Sequence, residues 1–307
     1  MRIFPVLALT TLVAACGKAP EPQPAAPAEP APAPAASSAN VHAFNVGDLT
    51  AFALKDGGFT FPNDAKTVGV GRTPEEIGKL LEAGGVAPTE LSVSIQPLVV
   101  KSADKVLLFD TGAGAGAGEV AGRLLTSMSE AGIDPASITD VLISHAHGDH
   151  VGGLVDGNGA LVFANATIRM SAPEWEALKS DTNRAALIAT ITPQVEAFAP
   201  GADVIPNLVK AVEIKGHTPG HSGYLIGSGA DSLLYIGDTA HHYIVSVQQP
   251  DWTIQFDRDA ATAQASRKDV IATNAQAGQR IYAFHFPFPG VGKFAQQGDH
   301  FVWNPEQ

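Results

Sequence analysis

The chain has 307 residues, 45% of them hydrophobic and 16% charged, a composition that argues against collagen-like and coiled-coil architectures. With 19 Lys and Arg against 31 Asp and Glu, the formal net charge is −12, and we expect no nucleic-acid partner because an acidic surface repels phosphates. The length fits one large domain or two small ones, and no run of about 18 apolar residues is present that could span a bilayer.

The first sixteen residues, MRIFPVLALTTLVAAC, have the form of a secretory signal peptide, with one basic residue before a short apolar run. The small residues before Cys16 resemble a bacterial lipobox, in which the cysteine is acylated. An ordinary signal peptide with an incidental cysteine is the alternative. We therefore expect a lipid on Cys16 to anchor the protein to a membrane, with the domain in the periplasm or outside the cell. Without acylation the protein would be secreted.

Residues 17–40 consist almost wholly of Ala, Pro and Glu and predict a disordered, extended tether, because such a segment buries too little apolar surface to fold. Residues 41–307 then form one domain in which strands and helices alternate. Predicted strands are Phe44–Leu54, Leu91–Val100, Lys105–Phe109, Asp140–Ser144, Leu161–Phe163, Thr167–Met170, Val209–Ile214, Gly223–Ile226, Ser232–Ile236 and Ile281–Phe284. Predicted helices are Pro74–Ala83 behind an N-cap at Thr73, Glu119–Ala131, Pro173–Lys179, Arg184–Ile191 and Asp257–Ala277, with a turn at 56–58. Several short links between strands favour a mixed α/β sandwich over an all-parallel sheet.

The segment SHAHGDH at 144–150 places three histidines and an aspartate directly after an apolar strand. On an extended segment His145 and His147 leave from the same face, so both can bind one cation. Asp149 and His150 then point elsewhere and can serve a second cation. A polar loop without a metal is the alternative, but four ligand-type residues within six positions favour a two-metal site.

A two-metal site needs more ligands than one loop supplies, and three later segments offer them. His217 lies in KGHTPGHSGY, Asp238 in LLYIGDTAHH and His285 in IYAFHFPFPG. Each follows an apolar strand, where α/β folds usually place their chemistry. The sequence therefore predicts one metal pocket built from several strand ends.

These motifs, in this order and with LLFDTG at 107–112 upstream, resemble the metallo-β-lactamase-fold hydrolases over essentially all of 41–307. The resemblance implies an αββα sandwich of two mixed sheets flanked by helices. It also implies a ligand set in which His145, His147 and His217 hold the first metal, Asp149, His150 and His285 hold the second, and Asp238 bridges them. Asp110 would order the ligand loop without binding metal.

The bridging position narrows the family, because true β-lactamases of this fold generally lack an aspartate at the place of Asp238. The segments DWTIQFDRD at 251–259 and HFPFPGVGKF at 285–294 look most like the methyl parathion hydrolase branch, which is close to the quorum-quenching lactonases. Those lactonases have a tyrosine three residues after the bridging aspartate, where this chain has His241. That difference favours organophosphate over lactone hydrolysis.

The resemblance predicts hydrolysis of a small ester, lactone or phosphotriester by a water activated between two divalent cations. Zinc is the expected metal, and iron, manganese or cobalt would suit the same histidine and carboxylate ligands. Asp149 would pass a proton to the leaving group, Asp238 would bridge the metals, and His241 would hydrogen-bond a small-molecule substrate or be a surface residue beside His242. The alternatives are a β-lactamase of the same fold and a non-catalytic metal-binding lipoprotein. The oligomeric state stays open, a dimer being plausible.

The remaining histidines and the large aromatic residues have plainer interpretations. We expect a structural hydrogen bond from His221 and solvent exposure for His42 and His300. Four aromatic residues could line a substrate pocket, but core packing is expected for any one of them: Trp175, Phe198, Trp252 and Phe256.

Overall fold

The computed structural model describes Met1, residues 37–227 and residues 231–306. The predicted signal peptide after Met1, Cys16 and most of the predicted tether lie outside the described residues. Over the described ranges, no helix combines the length and the apolar character needed to cross a membrane.

Strands and helices alternate along the described chain. The strands are β1 (Val41–Val46), β2 (Leu49–Leu54), β3 (Gly57–Pro62), β4 (Val68–Val70), β5 (Glu90–Ile95), β6 (Leu98–Lys101), β7 (Val106–Phe109), β8 (Asp140–Leu142), β9 (Thr167–Ser171), β10 (Val195–Phe198), β11 (Asp203–Ile205), β12 (Val209–Glu213), β13 (Ser222–Ile226), β14 (Leu233–Tyr235), β15 (Thr253–Ile254), β16 (Arg280–Tyr282), β17 (Val291–Gln297) and β18 (His300–Pro305). The helices are α1 (Pro74–Ala83), α2 (Leu124–Glu130), α3 (Gly148–Val151), α4 (Ala172–Lys179), α5 (Ala185–Ile191), α6 (Val245–Gln248) and α7 (Ala260–Ala277).

The strands form two large mixed sheets and two small ones. The first large sheet has the order β1-β2-β6-β7-β8-β9-β10, antiparallel up to β7 and parallel from β7 to β10. The second has the order β11-β12-β13-β14-β16-β17-β18 and is antiparallel except where β14 pairs with β16. The pairs β3 with β5 and β4 with β15 are separate ribbons beside these sheets.

Alternate residues of β7 explain how the two large sheets pack. Leu107 and Phe109 point into a core shared with Tyr224 and Tyr235 of the second sheet. Leu108 points the other way, into a core that includes residues of α2 and α4. A third core packs α7 against the outer face of the second sheet. Because β7 is buried on both faces its sequence is continuously apolar, and the layers follow the predicted αββα sandwich.

Two predicted strands were wrong because each spans a sharp turn. The predicted strand Phe44–Leu54 is the hairpin of β1 and β2, which turns at Gly47 with φ of 58°. The predicted strand Leu91–Val100 is broken before Pro97 into β5 and β6, which pair in different sheets. The Gln96 side chain at this break donates to the backbone oxygens of Ala283 and Phe286, at 2.8 and 2.9 Å.

Three further predictions need correction: a turn, the start of a helix and a short strand. The turn predicted at 56–58 is instead the start of β3, and Asp56 before it is fully buried. Asp56 accepts from the backbone N–H of Leu124 at 2.8 Å, and α2 begins there rather than at the predicted Glu119. Leu161–Phe163 is not a strand, since only Leu161 forms an isolated bridge, to Val155.

The ends of four strands meet at one edge of the sandwich. The loops after β8, β12, β14 and β16 carry the residues singled out from the sequence. The strands β17 and β18, which the sequence did not reveal, complete the second sheet beside β16. The predicted convergence of strand ends is therefore confirmed.

Candidate metal centre

The first group of side chains surrounds a point between three histidines. The Nε2 atom of His145 lies 2.9 Å from Nδ1 of His147 and 3.2 Å from Nε2 of His217. The latter two atoms are 3.1 Å apart. His145 and His147 therefore do leave their extended segment toward the same place, and the loop after β12 brings His217 to meet them.

The second group lies on the other side of the same pocket. Asp149 and His150 stand at the start of α3, and their carboxylate Oδ2 and imidazole Nε2 are 3.7 Å apart. His285, from the loop after β16, places Nε2 at 3.5 Å from the same Oδ2. The short helix turns these two side chains away from the face used by the first group.

Asp238 lies between the two groups and turns one carboxylate oxygen toward each. Its Oδ2 is 3.3 Å from Nε2 of His217 and 3.5 Å from Nε2 of His145. Its Oδ1 is 3.1 Å from Nε2 of both His150 and His285. All seven side chains predicted as ligands thus converge, with Asp238 central.

The spacing of these atoms suits a bound cation. Four tetrahedral ligands at zinc distances of about 2.0–2.1 Å are separated by roughly 3.3 Å, and the separations within the first group and to Asp238 are 2.9–3.5 Å. Among the described residues, the buried atoms His150 Nε2 and Asp238 Oδ1 have no partner in hydrogen-bond geometry. Buried polar atoms rarely stay unpaired, and a bound divalent cation would give both of these atoms a partner.

The electrostatics of the site also favour cations. Burial alone would raise the pKa of Asp238, but the neighbouring His150 and His285 hold it well below its usual range, so the carboxylate is ionised. Burial, together with His217, lowers the pKa of His147 to about 4, which leaves its imidazole neutral. Burial would also lower the pKa of His217, but hydrogen bonds to Asp238 and Asp257 raise it to about 9. Protons held on such histidines are released when metal binds.

Hydrogen bonds from outside the groups fix the orientation of three of the five histidines. Asp110 accepts from Nδ1 of His150 at 2.7 Å, and its buried position agrees with the ordering role expected for it. Nδ1 of His217 donates to Asp257 at 3.0 Å, and Nδ1 of His285 donates to the backbone oxygen of Ser94 at 2.7 Å. Such contacts select the tautomer that turns the other ring nitrogen toward the metal.

Two residues that connect the ligand loops were not singled out by the sequence. The buried Glu174 accepts from the backbone N–H of Ala146 at 2.8 Å and, through its other oxygen, from Thr218 Oγ1 and Gly220 N–H, at 2.7 and 2.9 Å. Asp257 was part of a quoted segment, but nothing in its spacing linked it to His217. The tertiary fold alone reveals both contacts.

The structural hydrogen bond expected from His221 is confirmed. Its Nδ1 donates to the backbone oxygen of Ile214 at 3.1 Å, and its Nε2 accepts from the backbone N–H of Asp238 at 3.0 Å. His221 therefore holds the loop that carries the central carboxylate. Gly237 comes so close to this ring that a Cβ atom there would lie 2.6 Å from Nε2.

A cavity of about 520 Å³ opens over the centre, and His241 lines it. His241 is 4% exposed, so the alternative of a surface histidine is wrong. Its ring stacks on His285 at 5.3 Å between centroids, and its Nε2 is 3.2 Å from Oδ2 of Asp238. The geometry also groups His241 with Asp238 and His285 as a possible metal site. The apolar wall of the cavity includes Phe59, Phe61, Val68, Val93 and Phe256.

Of the four aromatic residues for which core packing was expected, three pack in or against the core and Phe256 does not. Trp175 is buried in the core beside α4, and Phe198 and Trp252 pack against other buried clusters. Phe256 is 36% exposed and lines the cavity. 

The two remaining histidines were expected to be solvated, but His42 and His300 are half-buried. They lie in β1 and β18, each of which is one of the two edge strands of a large sheet.

Three comparisons place the chain among known proteins. The solved structure of AidC, a dizinc quorum-quenching lactonase, is 31% identical with a TM-score of 0.81, covering 87% of this chain and 98% of that one. The hydrolase AbOPH, of the beta lactamase superfamily, is 26% identical with a TM-score of 0.77, covering 89% and 99%. An N-acyl homoserine lactonase of Bacillus cereus is 27% identical over 152 residues, or 48% of this chain and 57% of that relative, so the match spans little more than half of it. Residues 93–273, more than half of the chain, match the Metallo-beta-lactamase superfamily, and the chain belongs to that family.

Proposed function

We propose that the protein is a metal-dependent hydrolase that uses two divalent cations to cleave a small ester, lactone or phosphotriester. The observation that carries the proposal is the carboxylate of Asp238, whose Oδ1 lies 3.1 Å from His150 and whose Oδ2 lies 3.3 Å from His217. A carboxylate placed in this way would serve two cations at once. A structural metal site would have no need for an open cavity beside it.

The residues divide into two ligand groups that share Asp238. His145, His147 and His217 would hold one cation, and Asp149, His150 and His285 would hold the other. The cations, with zinc the favoured metal, would supply Lewis acidity to water and to the bond that is cleaved. AidC is named as a dizinc enzyme, which supports this assignment.

The chain's own residues then bind and orient the substrate. The apolar wall that includes Phe59 and Phe256 takes an apolar substituent and keeps bulk water from the centre. His241 Nδ1 is buried and has no hydrogen-bond partner among the described residues, so it is available to a polar oxygen of the substrate. The Asp149 side chain, 23% exposed and lining the cavity, is placed to move a proton to the leaving oxygen.

Lactones are the first substrate class to test. AidC is named as a quorum-quenching lactonase and is similar over 87% of this chain, which supports a lactone despite the histidine at position 241. Aryl esters and phosphotriesters present the same kind of electrophilic centre and remain in the proposal. A β-lactam is the competing substrate.

The test combines a substrate panel with a metal analysis of the same preparations. Wild-type protein loaded with zinc is assayed against an N-acyl homoserine lactone, an aryl ester, a phosphotriester and a β-lactam, with His147→Ala as the inactive variant and His300→Ala as a control remote from the centre. We expect two metal ions per chain, turnover of one of the first three substrates, and loss of at least about 10³-fold on His147→Ala. Turnover of the β-lactam alone, or equal rates for His147→Ala and wild type, would overturn the proposal.

We also propose that a lipid on Cys16 anchors the protein in the bacterial cell envelope, with the domain in the periplasm or outside. The support is sequence-based: an apolar run of signal-peptide length ends in small residues and the chain's single cysteine. Incorporation of radioactive palmitate into wild type but not into Cys16→Ser is the expected result. Equal incorporation into both would contradict it.

A further inference from the structure

We infer that Arg267 is a positioning residue that holds His217 and the Asp238 loop in register, an inference that rests on the proposed two-metal function. Arg267 lies in α7 and is only 1% exposed, the largest of the fully buried side chains among the described residues. A buried guanidinium is rare unless its donors are all engaged. The hydrogen bonds of Arg267 identify the segments that it holds in place.

One contact chain runs from Arg267 to the proposed first metal position. Nη2 of Arg267 donates to Oδ2 of Asp257 at 2.6 Å, and the other oxygen of Asp257 accepts from Nδ1 of His217 at 3.0 Å. The Nε2 atom of His217 then faces His145 and His147. The Arg267 guanidinium thus orients the Asp257 carboxylate, which in turn orients the His217 ring.

The other donors of Arg267 hold two further segments of the site. Its Nε donates to the backbone oxygen of Thr239 at 2.7 Å, directly after Asp238 and two residues before His241. Its Nη1 donates to the backbone oxygens of Pro250 and Trp252, at 3.0 and 3.2 Å. The Arg267 guanidinium therefore connects three parts of the site. These are the loop after β14, the segment leading to Phe256, and Asp257, which holds His217.

This division of donors requires arginine rather than a positive charge alone. The guanidinium presents its N–H groups in a rigid fork, whereas a lysine ammonium is a single point that cannot reach acceptors on several sides. Lysine at 267 would satisfy the charge of Asp257 but release Thr239 or the 250–252 carbonyls. The expected consequence is a less well-oriented His217 and a looser Asp238 loop.

A second arginine–aspartate pair, whose side chains do not contact the ligand groups, separates positioning from general stability. Arg169 donates Nε to Oδ1 of Asp140 at 2.7 Å, and the Asp140 side chain is 1% exposed. Asp140 begins β8, whereas the loop bearing His145 follows the other end of that strand. Arg169 is 20% exposed, so Arg169→Lys disturbs a partly exposed arginine's pair with a buried aspartate, without a side-chain contact to the ligand groups.

The experiment measures the affinities of the two zinc positions by chelator competition in the full-length protein. The variants are Arg267→Lys, Asp257→Asn, their double mutant and Arg169→Lys, and thermal unfolding is followed in parallel. We expect each of the two single substitutions to weaken one zinc position about 10–100-fold, as the loss of a ligand's support does. The double mutant should be little worse than either single one, because both break the same contact chain. Arg169→Lys should lower the midpoint of unfolding and leave both affinities unchanged.

Each outcome separates this inference from the proposed function. Two zinc ions of wild-type affinity in both Arg267→Lys and Asp257→Asn would assign Arg267 a purely structural role and leave the hydrolase proposal intact. An equal loss of zinc affinity in Arg169→Lys would also assign Arg267 a purely structural role, because the effect would not be specific to the centre. A wild-type protein that binds fewer than two zinc ions would overturn both. Should Arg267→Lys fail to fold, Asp257→Asn alone carries the test, since it keeps the shape of the side chain and replaces one of the two acceptor oxygens that join Arg267 to His217 with an NH2 group.

Discussion

Asp110 and His150 are joined by a hydrogen bond of 2.7 Å between Oδ2 and Nδ1, and both side chains are fully buried. The same carboxylate accepts from the backbone N–H and the hydroxyl of Ser144, at 2.7 and 2.6 Å, and from the hydroxyl of Tyr235 at 2.7 Å. Asp110 therefore connects both large sheets to the loop that begins at His145. The backbone at Asp110 has φ of 55°, a left-handed conformation tolerated by aspartate.

Replacing Asp110 by Asn should weaken metal binding without removing a ligand. An amide has one acceptor oxygen in place of two, and its NH2 group would face donors. We expect zinc affinity to fall about 10–100-fold and the protein to unfold at a lower temperature. Chelator competition and calorimetry measure the two effects. Asp134→Asn, at an exposed carboxylate that caps a short 3-10 turn, is the control and should change neither; wild-type affinity in Asp110→Asn would contradict the supporting role.

His241 should act on the substrate and not on the metal. His241→Phe keeps a ring stacked on His285 and removes the hydrogen bond, so we expect kcat to fall about 10²-fold with metal content unchanged. His241→Tyr restores a donor, as in the lactonases that this chain resembles, and should recover part of the rate. Loss of one metal ion in His241→Phe would instead make His241 a ligand together with Asp238 and His285.

The buried Asp56 should hold the loop that contributes Ala113 to the cavity wall, and so keep the shape of that wall. Its carboxylate accepts from the backbone N–H groups of Ala113, Gly122 and Leu124, at 3.0, 3.0 and 2.8 Å, and Ala113 lines the cavity. Asp56→Ala leaves three donors without an acceptor, and we expect a loss of about 3 kcal/mol in the free energy of unfolding together with a raised KM. Denaturant titration and steady-state kinetics measure these effects.

A control for Asp56 exists on the surface. Asp156 also accepts from backbone N–H groups, those of Asn158 and Ala160, but in an exposed turn where water can replace it. Asp156→Ala should cost well under 1 kcal/mol and leave KM unchanged. A KM for Asp56→Ala equal to that of wild type would show that the cavity wall does not depend on this carboxylate.

Asp140 should make stability depend on pH in the acid range. Burial would raise its pKa, but hydrogen bonds from Arg169 and Lys105 outweigh this and lower the pKa below the ordinary 3.8. A carboxyl with a lowered folded pKa stabilises the protein fully above its unfolded pKa and loses this contribution as pH falls through the folded value. The gap in unfolding free energy between wild type and Asp140→Asn should be constant above about pH 5 and shrink below 3.8. Urea titrations of metal-free protein test this, and a gap that widens toward acid would contradict it.

The sequence reveals the candidate ligand loops because each follows an apolar strand. β8, β12, β14 and β16 are buried and read as short hydrophobic runs, so His145, His217, Asp238 and His285 stand out after them. Spacing alone also predicted that Asp149 and His150 point away from the face shared by His145 and His147. The helical turn at Gly148–Val151, which produces this separation, was not predicted. The sandwich and the centre could therefore be anticipated.

The supporting residues could not be anticipated, because their partners are distant in the chain. Asp56 meets Leu124 across 68 positions and Glu174 meets Gly220 across 46. Neither residue has a local pattern that marks a buried acceptor. The division of Leu91–Val100 at Pro97 was visible in principle, since proline lacks the N–H that a continuous strand needs.

The most direct test of the proposed two-metal centre is a crystal structure of the zinc-loaded protein with anomalous data collected at the zinc edge. We expect two anomalous peaks about 3.5–4 Å apart, one among His145, His147 and His217 and one among Asp149, His150 and His285. One oxygen of Asp238 should contact each of them. A single peak, or a pair with the Asp238 carboxylate turned away from either ion, would contradict it.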